Sequence, residues 1–265
     1  MSVIVVTGAS SGIGHAIALG LSKAGHKVYG ISRSKVHDKD IRSIQADVTD
    51  TEGIKEAFSD IFEIEGRIDV LVNNAGMGIS GSIEDTEYVD ASGILDVNIM
   101  GVFNTVKAAV PIMREGKGGK IINISSVAGR LPIPFQAFYS ASKAAVNALS
   151  DALRIEVAPF GIQVCAVMPG DIRTGFTKNR KKNELDHPSY GDRVKKSVEV
   201  MEHDEENGMD PEKAAMVVRK LIRKRNMPHY TTIGFKYKVF VFLGKLLPSR
   251  LVSKVVEMLY GFKKG

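Results

Sequence analysis

Over the first 170 residues, six short runs rich in Val and Ile recur between amphipathic segments, at 3–7, 27–32, 43–46, 70–72, 120–125 and 163–168. The runs are nearly continuous in apolar residues instead of alternating, which a strand adopts when both of its faces are covered. The segments between them, 12–24, 51–63, 86–114 and 137–159, carry helical periodicity. Strands that alternate with helices pair in parallel, and right-handed crossovers wind the helices onto both faces. The expected fold class is therefore α/β, a single doubly wound parallel sheet with helices on both sides. Residues 1–265 read as one domain. At 44% hydrophobic and 25% charged residues, the 265-residue chain can bury a sizeable core.

Beyond Pro169 the pattern changes. Residues 175–207 are polar and mixed in charge, with 178-KNRKKNE-184 and 202-EHDEEN-207, and read as an irregular loop that decides substrate specificity. Asp210 followed by Pro211 marks the start of a helix running to about residue 225. A last strand is expected over 229–234, then two short helices over 235–262, broken at Pro248.

Composition excludes several classes. A net charge of +6 favours anionic ligands in a general way, but the basic residues form no nucleic-acid reading module. One cysteine, Cys165, permits neither an internal disulfide nor a thiolate zinc cluster, and no metal site is expected. It reads as a small core residue. The N-terminus has no basic segment ahead of a long apolar one, so no secretory signal is expected. No transmembrane span is expected, and the expected location is cytoplasmic.

The first chemistry-bearing stretch is 7-TGASSGIG-14, which follows a strand and opens a helix. Its glycines allow a tight turn, and the helix N-terminus favours a pyrophosphate. At 139 and 143 a tyrosine and a lysine stand four residues apart on one helical pattern, so they share a face. A neighbouring ammonium lowers a phenol's pKa, which makes a usable proton donor or acceptor. At the end of the second run, where an NAD-binding chain places an acid roughly twenty residues past the glycines, Ser32 and Arg33 stand instead. An arginine binds a 2′-phosphate that a carboxylate would repel. The expected cofactor is NADP(H).

Together these stretches resemble the short-chain dehydrogenase/reductase family. The T-G-x-x-x-G-x-G turn, Asp47-Val48, 73-NNAG-76, Asn98, Ser126 in 123-NISSVAG-129, Tyr139 and Lys143 as Y-x-x-x-K, and 169-PGDIRT-174 follow in order over about 175 residues. The resemblance implies a Rossmann-type fold and a hydride-transferring oxidoreductase. It implies that Tyr139 transfers the proton, Ser126 holds the substrate oxygen and Asn98 holds a water linking the lysine to solvent. Lys143 would tune the tyrosine and hold the nicotinamide ribose. The cofactor would lie on Gly8, Ser10, Ser11, Gly12, Ile13 and Gly14, with Asp47 and Val48 at the adenine and Asn74, Ala75 and Gly76 at the ribose. Pro169, Gly170, Ile172 and Thr174 would anchor the nicotinamide, and Ser11 and Ser32 would join Arg33 at the 2′-phosphate. Residues 1–174 would form the cofactor-binding and catalytic core.

The apolar, basic stretch 235–265 resembles the C-terminal extension of hydroxysteroid and retinol dehydrogenases and implies a bulky hydrophobic ketone or secondary alcohol as substrate, hydroxysteroid-like or bile-acid-like. Alternatives are a smaller carbonyl (a 3-oxoacyl thioester, sugar or aldehyde) or a non-catalytic NADP(H)-binding regulator. Family likeness implies a homodimer or homotetramer. The tail itself admits three roles: packing in the core or a dimer, covering the pocket, or peripheral contact with a membrane.

Overall fold

The computed structural model describes residues 1–183 and 187–260. Glu184, which ends the charged run, and the tail beyond residue 260 lie outside the described residues. The strands are β1 (Val3–Thr7), β2 (Lys27–Ser32), β3 (Arg42–Gln45), β4 (Val70–Asn73), β5 (Ile79–Ser80), β6 (Gly119–Ile124), β7 (Ile162–Pro169), β8 (Lys181–Lys182) and β9 (Tyr230–Ile233). The helices are α1 (Gly12–Ser22), α2 (Thr51–Glu65), α3 (Tyr88–Leu95), α4 (Gly101–Glu115), α5 (Ala137–Val157), α6 (Phe176–Asn179), α7 (Arg193–Glu206), α8 (Glu212–Arg223), α9 (Phe235–Leu246) and α10 (Ser249–Leu259). Seven strands form one sheet in the order β3-β2-β1-β4-β6-β7-β9, and β5 pairs with β8 in a small second one. Every named pairing is parallel.

The continuous apolar runs follow from burial on both sides. Ile4 and Val6 point to a core shared with Ile17 and Leu21 of α1 and Val218 and Leu221 of α8. Val3 and Val5, one residue out of phase, point to the opposite core with Phe58 and Ile61 of α2 and Met113 of α4. Alternate residues of one strand thus feed two cores. The strand order reverses between β1 and β4, and ligands bind such sheets at the carboxyl ends beside that switch point. The glycine turn leaves β1 there, and 73-NNAG-76 leaves β4.

Two expectations about the elements need correction. The helix expected over 86–114 is interrupted by a π turn, Asp96–Met100, between α3 and α4. This stretch is long and apolar enough to cross a bilayer by length and composition. Ala91, Ile94, Val102, Ala109 and Met113 are nonetheless buried within the fold. The segment 175–207 is not an irregular loop. It contains α6, β8 and the 14-residue α7, whose buried Val194, Ser197, Val198 and Met201 stand at helical spacing. Asp210 does cap the following helix, its carboxylate accepting from the Glu212 N–H at 2.8 Å. Cys165 is buried in β7, as expected for a core residue.

Candidate active site

One continuous cleft of about 780 Å³ runs from the glycine turn, past Ser126, Tyr139 and Lys143, to α9 and α10. Every residue expected in the site lines it except Gly14 and Asn98, which stand immediately behind it.

The glycine-turn end of the cleft is shaped by backbone that leaves no room for side chains. Gly8 and Gly12 have φ of +66° and +57°, the region that favours glycine. A Cβ on Gly14 would lie 2.2 Å from the Gly8 carbonyl and one on Gly8 2.9 Å from Ala75 Cα. The turn and the loop after β4 are therefore locked together. Thr7 closes that lock: its hydroxyl accepts from the backbone N–H groups of Asn74 and Ala75, both at 3.0 Å. Asn74 returns hydrogen bonds to the Thr7 and Gly8 carbonyls at 3.1 and 3.3 Å. Ser11 is the N-cap of α1, and its hydroxyl makes no capping bond. That hydroxyl, the helix N-terminus and the exposed Arg33 all line this part of the cleft, and a helix N-terminus favours an anion. Ser32 is buried and donates to the Ser34 carbonyl at 2.7 Å, which holds the Arg33 turn. Asp47 Oδ1 accepts from the Thr49 N–H and hydroxyl at 3.0 and 2.9 Å, while Asp50 caps α2. Val48 is pinned against Gly101, where a Cβ would come within 2.7 Å of its methyl. At the far side Thr174 packs on Gly12, 3.4 Å from where a Cβ would be. Ile172 pairs with Met209 in a parallel bridge, which fixes the 169–174 loop.

At the reacting end, α5 presents Tyr139 and Lys143 to the cleft. The Lys143 ammonium lies 5.8 Å from the Tyr139 ring centroid and donates to the Ile124 carbonyl at 3.0 Å. Burial pushes Lys143 down to about 8. Burial also pushes the Tyr139 phenol up to about 12, with a hydrogen bond to Ser126 pulling the other way. The sequence led us to expect the opposite direction for the phenol, from the neighbouring ammonium. The correction has a plain cause: desolvation penalises phenolate and ammonium alike, and at this separation it outweighs their attraction. Ser126 caps a short turn, its Oγ accepting from the Ala128 N–H at 3.1 Å. Ser125, beside it in the cleft wall, donates to the Lys143 carbonyl at 3.0 Å.

Asn98 sits in the π turn and is buried. Its Oδ1 accepts from the Met77 N–H at 2.9 Å, and its Nδ2 donates to the Met77 carbonyl and Ser142 Oγ at 3.1 and 2.9 Å. The side-chain amide is thus committed to Met77 and Ser142. Gly76 lies between Asn98 and Lys143, 3.1 and 3.5 Å from the Cβ it lacks.

Several neighbours of the site were invisible in the sequence. Phe176 meets Tyr139 at 5.6 Å between ring centroids. Arg180 is buried and ion-paired with Glu205, while Thr177 donates to the other Glu205 oxygen at 2.6 Å. Gln136, just ahead of α5, accepts from Arg180 Nε at 3.0 Å through its amide oxygen. Burial raises Glu205, and the Arg180 charge opposes this. Tyr237 of α9 lies on Gly170, 2.1 Å from where a Cβ would be, and donates to the Asp171 carboxylate. Only Asp171 carried a signal, inside the quoted 169-PGDIRT-174. Among the described residues no cluster of metal-ligating side chains occurs.

The chain matches known proteins over most of its length. The sequence profile of short chain dehydrogenases covers residues 2–185. The 3-ketodihydrosphingosine reductase of Bacteroides thetaiotaomicron is 41% identical over 265 residues, 98% of each chain. The Dehydrogenase/reductase SDR family member 7B of Xenopus tropicalis is 33% identical, over 95% of this chain and 84% of its own. Among solved structures, a short-chain dehydrogenase from Streptomyces avermitilis superposes with a TM-score of 0.84 at 33% identity, covering 97% of this chain and 95% of its own.

Proposed function

The chain belongs to the short chain dehydrogenase family, and from that premise we propose an NADP(H)-dependent oxidoreductase that interconverts a ketone and a secondary alcohol on a bulky hydrophobic substrate. That it is an oxidoreductase acting on CH–OH or ketone groups with a nicotinamide cofactor follows from the family. The choice of NADP(H) rests on Ser32 and Arg33 standing where an acid would serve NAD(H). The observation that carries the substrate class is the cleft's far wall. There Leu131, Ile133, Phe240, Val256 and Leu259 line the cleft together with Phe176, which packs on Tyr139.

NADPH, when bound, supplies the hydride to the carbonyl carbon. The protein's part is to hold the carbonyl oxygen and deliver the proton. Ser126 donates a hydrogen bond to that oxygen, where negative charge develops. Tyr139, a neutral phenol at pH 7 because its pKa is about 12, donates its proton to the forming alkoxide. Lys143 then faces the phenolate across the same buried space and holds the nicotinamide ribose. Asn98 positions Lys143 by fixing the Gly76–Met77 backbone beside it. Phe176 covers the tyrosine, and the Arg180–Glu205–Gln136 set ties α6 and α7 to the start of α5. In the oxidative direction the same groups run in reverse.

Kinship to a 3-ketodihydrosphingosine reductase supports a long-chain ketone as the substrate. A hydroxysteroid or bile-acid-like substrate is the second reading, favoured by the rings of Phe176, Tyr237, Phe240 and Tyr260 along the cleft. Exposed apolar residues on α4 and α5, Phe103, Leu149 and Ile155, support the homo-oligomer that family likeness implies. A steady-state NADPH-oxidation screen over 3-ketodihydrosphingosine, steroid, bile-acid, sugar and acyl-thioester ketones tests the proposal. Highest kcat/KM for the long-chain ketone is expected. Preference for a sugar or a small thioester would refute the substrate class.

A further inference from the structure

The two C-terminal helices wall the cleft on one side and show an apolar face to the outside. On α9, Phe235, Val239, Phe242 and Leu246 stand at i, i+4, i+7 and i+11, one helical face, and all are exposed; Phe235 is 82%, Phe242 61% and Leu246 65% accessible. On α10, Leu251, Val255 and Met258 repeat the spacing at i, i+4 and i+7, with Met258 70% accessible. No residue of α10 is fully buried. A patch of this kind marks a surface that meets something apolar.

Charge identifies what it meets. Between residues 235 and 259 stand Lys236, Lys238, Lys245, Arg250 and Lys254 against the single acid Glu257, a net charge of +4 from five minus one. Lysines flanking a Phe/Leu face are the composition of a helix that lies in a lipid interface. A second copy docking face to face would bring these like charges together, whereas an anionic bilayer attracts them. The cleft opens on the same side, because Leu259 both lines it and is 48% accessible. We propose that the outer face of α9 and α10 docks on an anionic lipid bilayer, with the mouth of the cleft held against the membrane so that a lipid-soluble substrate enters without crossing water.

The test is flotation of the full-length protein with phosphatidylcholine vesicles made with and without phosphatidylglycerol. Wild type floats with the anionic vesicles and not with the neutral ones. Lys238→Gln with Lys245→Gln binds roughly thirtyfold more weakly, at roughly fivefold for each lysine neutralised. Phe242→Ala with Leu246→Ala loses roughly tenfold for each side chain. Melting temperature with and without NADPH, and mass by light scattering, are recorded for each variant to show that it is folded and in what assembly. Wild type that ignores anionic vesicles, or variants that are folded and bind as wild type does, overturn the proposal. So does wild type that stays off vesicles while Phe242→Ala with Leu246→Ala reduces the oligomer, which would make the face an interface between copies. No turnover is read, so this failure leaves the reductase assignment standing.

Discussion

Replacing Lys143 with methionine is expected to make the protein more stable while removing its activity. Lys143 is 6% accessible, and burial lowers its pKa from 10.5 to about 8. At 1.36 kcal/mol per pH unit, that gap corresponds to about 3 kcal/mol against the buried ammonium. The sign follows from where the proton sits. Below about pH 8 the lysine is charged in both folded and unfolded chains, and the full cost acts on the fold. Between about 8 and 10.5 the folded lysine is neutral while the unfolded one is not, so stability rises with pH. Methionine fits the stem and removes the charge, but it strands the Ile124 carbonyl that Lys143 holds at 3.0 Å, which returns about 1 kcal/mol. The net gain is about 2 kcal/mol at pH 7, or roughly 4–8 °C in Tm for a chain of this size. Differential scanning calorimetry on both proteins from pH 7 to 10 measures it. Their Tm difference should shrink as pH rises, because the cost that methionine relieves is fading in wild type. A lower Tm for Lys143→Met at pH 7, or a difference independent of pH, would refute the reasoning.

Three further outcomes are expected. Arg33→Ala should raise the NADPH Kd by roughly 10- to 150-fold, from about 1.5–3 kcal/mol for charge-assisted hydrogen bonds, and leave NADH binding unchanged; fluorescence titration of both cofactors decides it. Alcohol oxidation needs the phenolate of Tyr139, so its rate should climb about tenfold per pH unit below the phenol's value of about 12. Ketone reduction should show no loss of proton donor over the same range, and parallel pH profiles in the two directions would argue against Tyr139 as the transferring group. Glu205→Ala leaves the buried Arg180 without its carboxylate and should cost about 3–5 kcal/mol, read by urea unfolding; a change below about 1 kcal/mol would show that the pair does not hold α6 to α7.

The parts legible in the sequence were those whose physics is local. Val3–Thr7 and its counterparts read as strands because burial on both faces removes polar positions, and Tyr139 with Lys143 read as a pair because four residues make one helical turn. Helix α7 did contain its signal, Val194, Ser197, Val198 and Met201 at helical spacing. A buried serine and the surrounding charges, from Lys195 to Glu206, hid it. Arg180 lies in a charged run that reads as solvated, and its partner Glu205 is 25 residues away, a pairing only the fold creates. The phenol's direction was misread because spacing reveals the neighbouring ammonium but not the desolvation that outweighs it. The contact of Tyr237 with Gly170 joins α9 to the loop after β7 and has no local signature at all.

The central claim, that Tyr139 delivers the proton during reduction of a hydrophobic ketone, is tested most directly by Tyr139→Phe, which keeps the ring against Phe176 and deletes only the hydroxyl. Single-turnover NADPH oxidation with the long-chain ketone should fall by roughly 10²–10⁴-fold, with NADPH Kd and Tm close to wild type. Turnover within a few-fold of wild type would contradict the account.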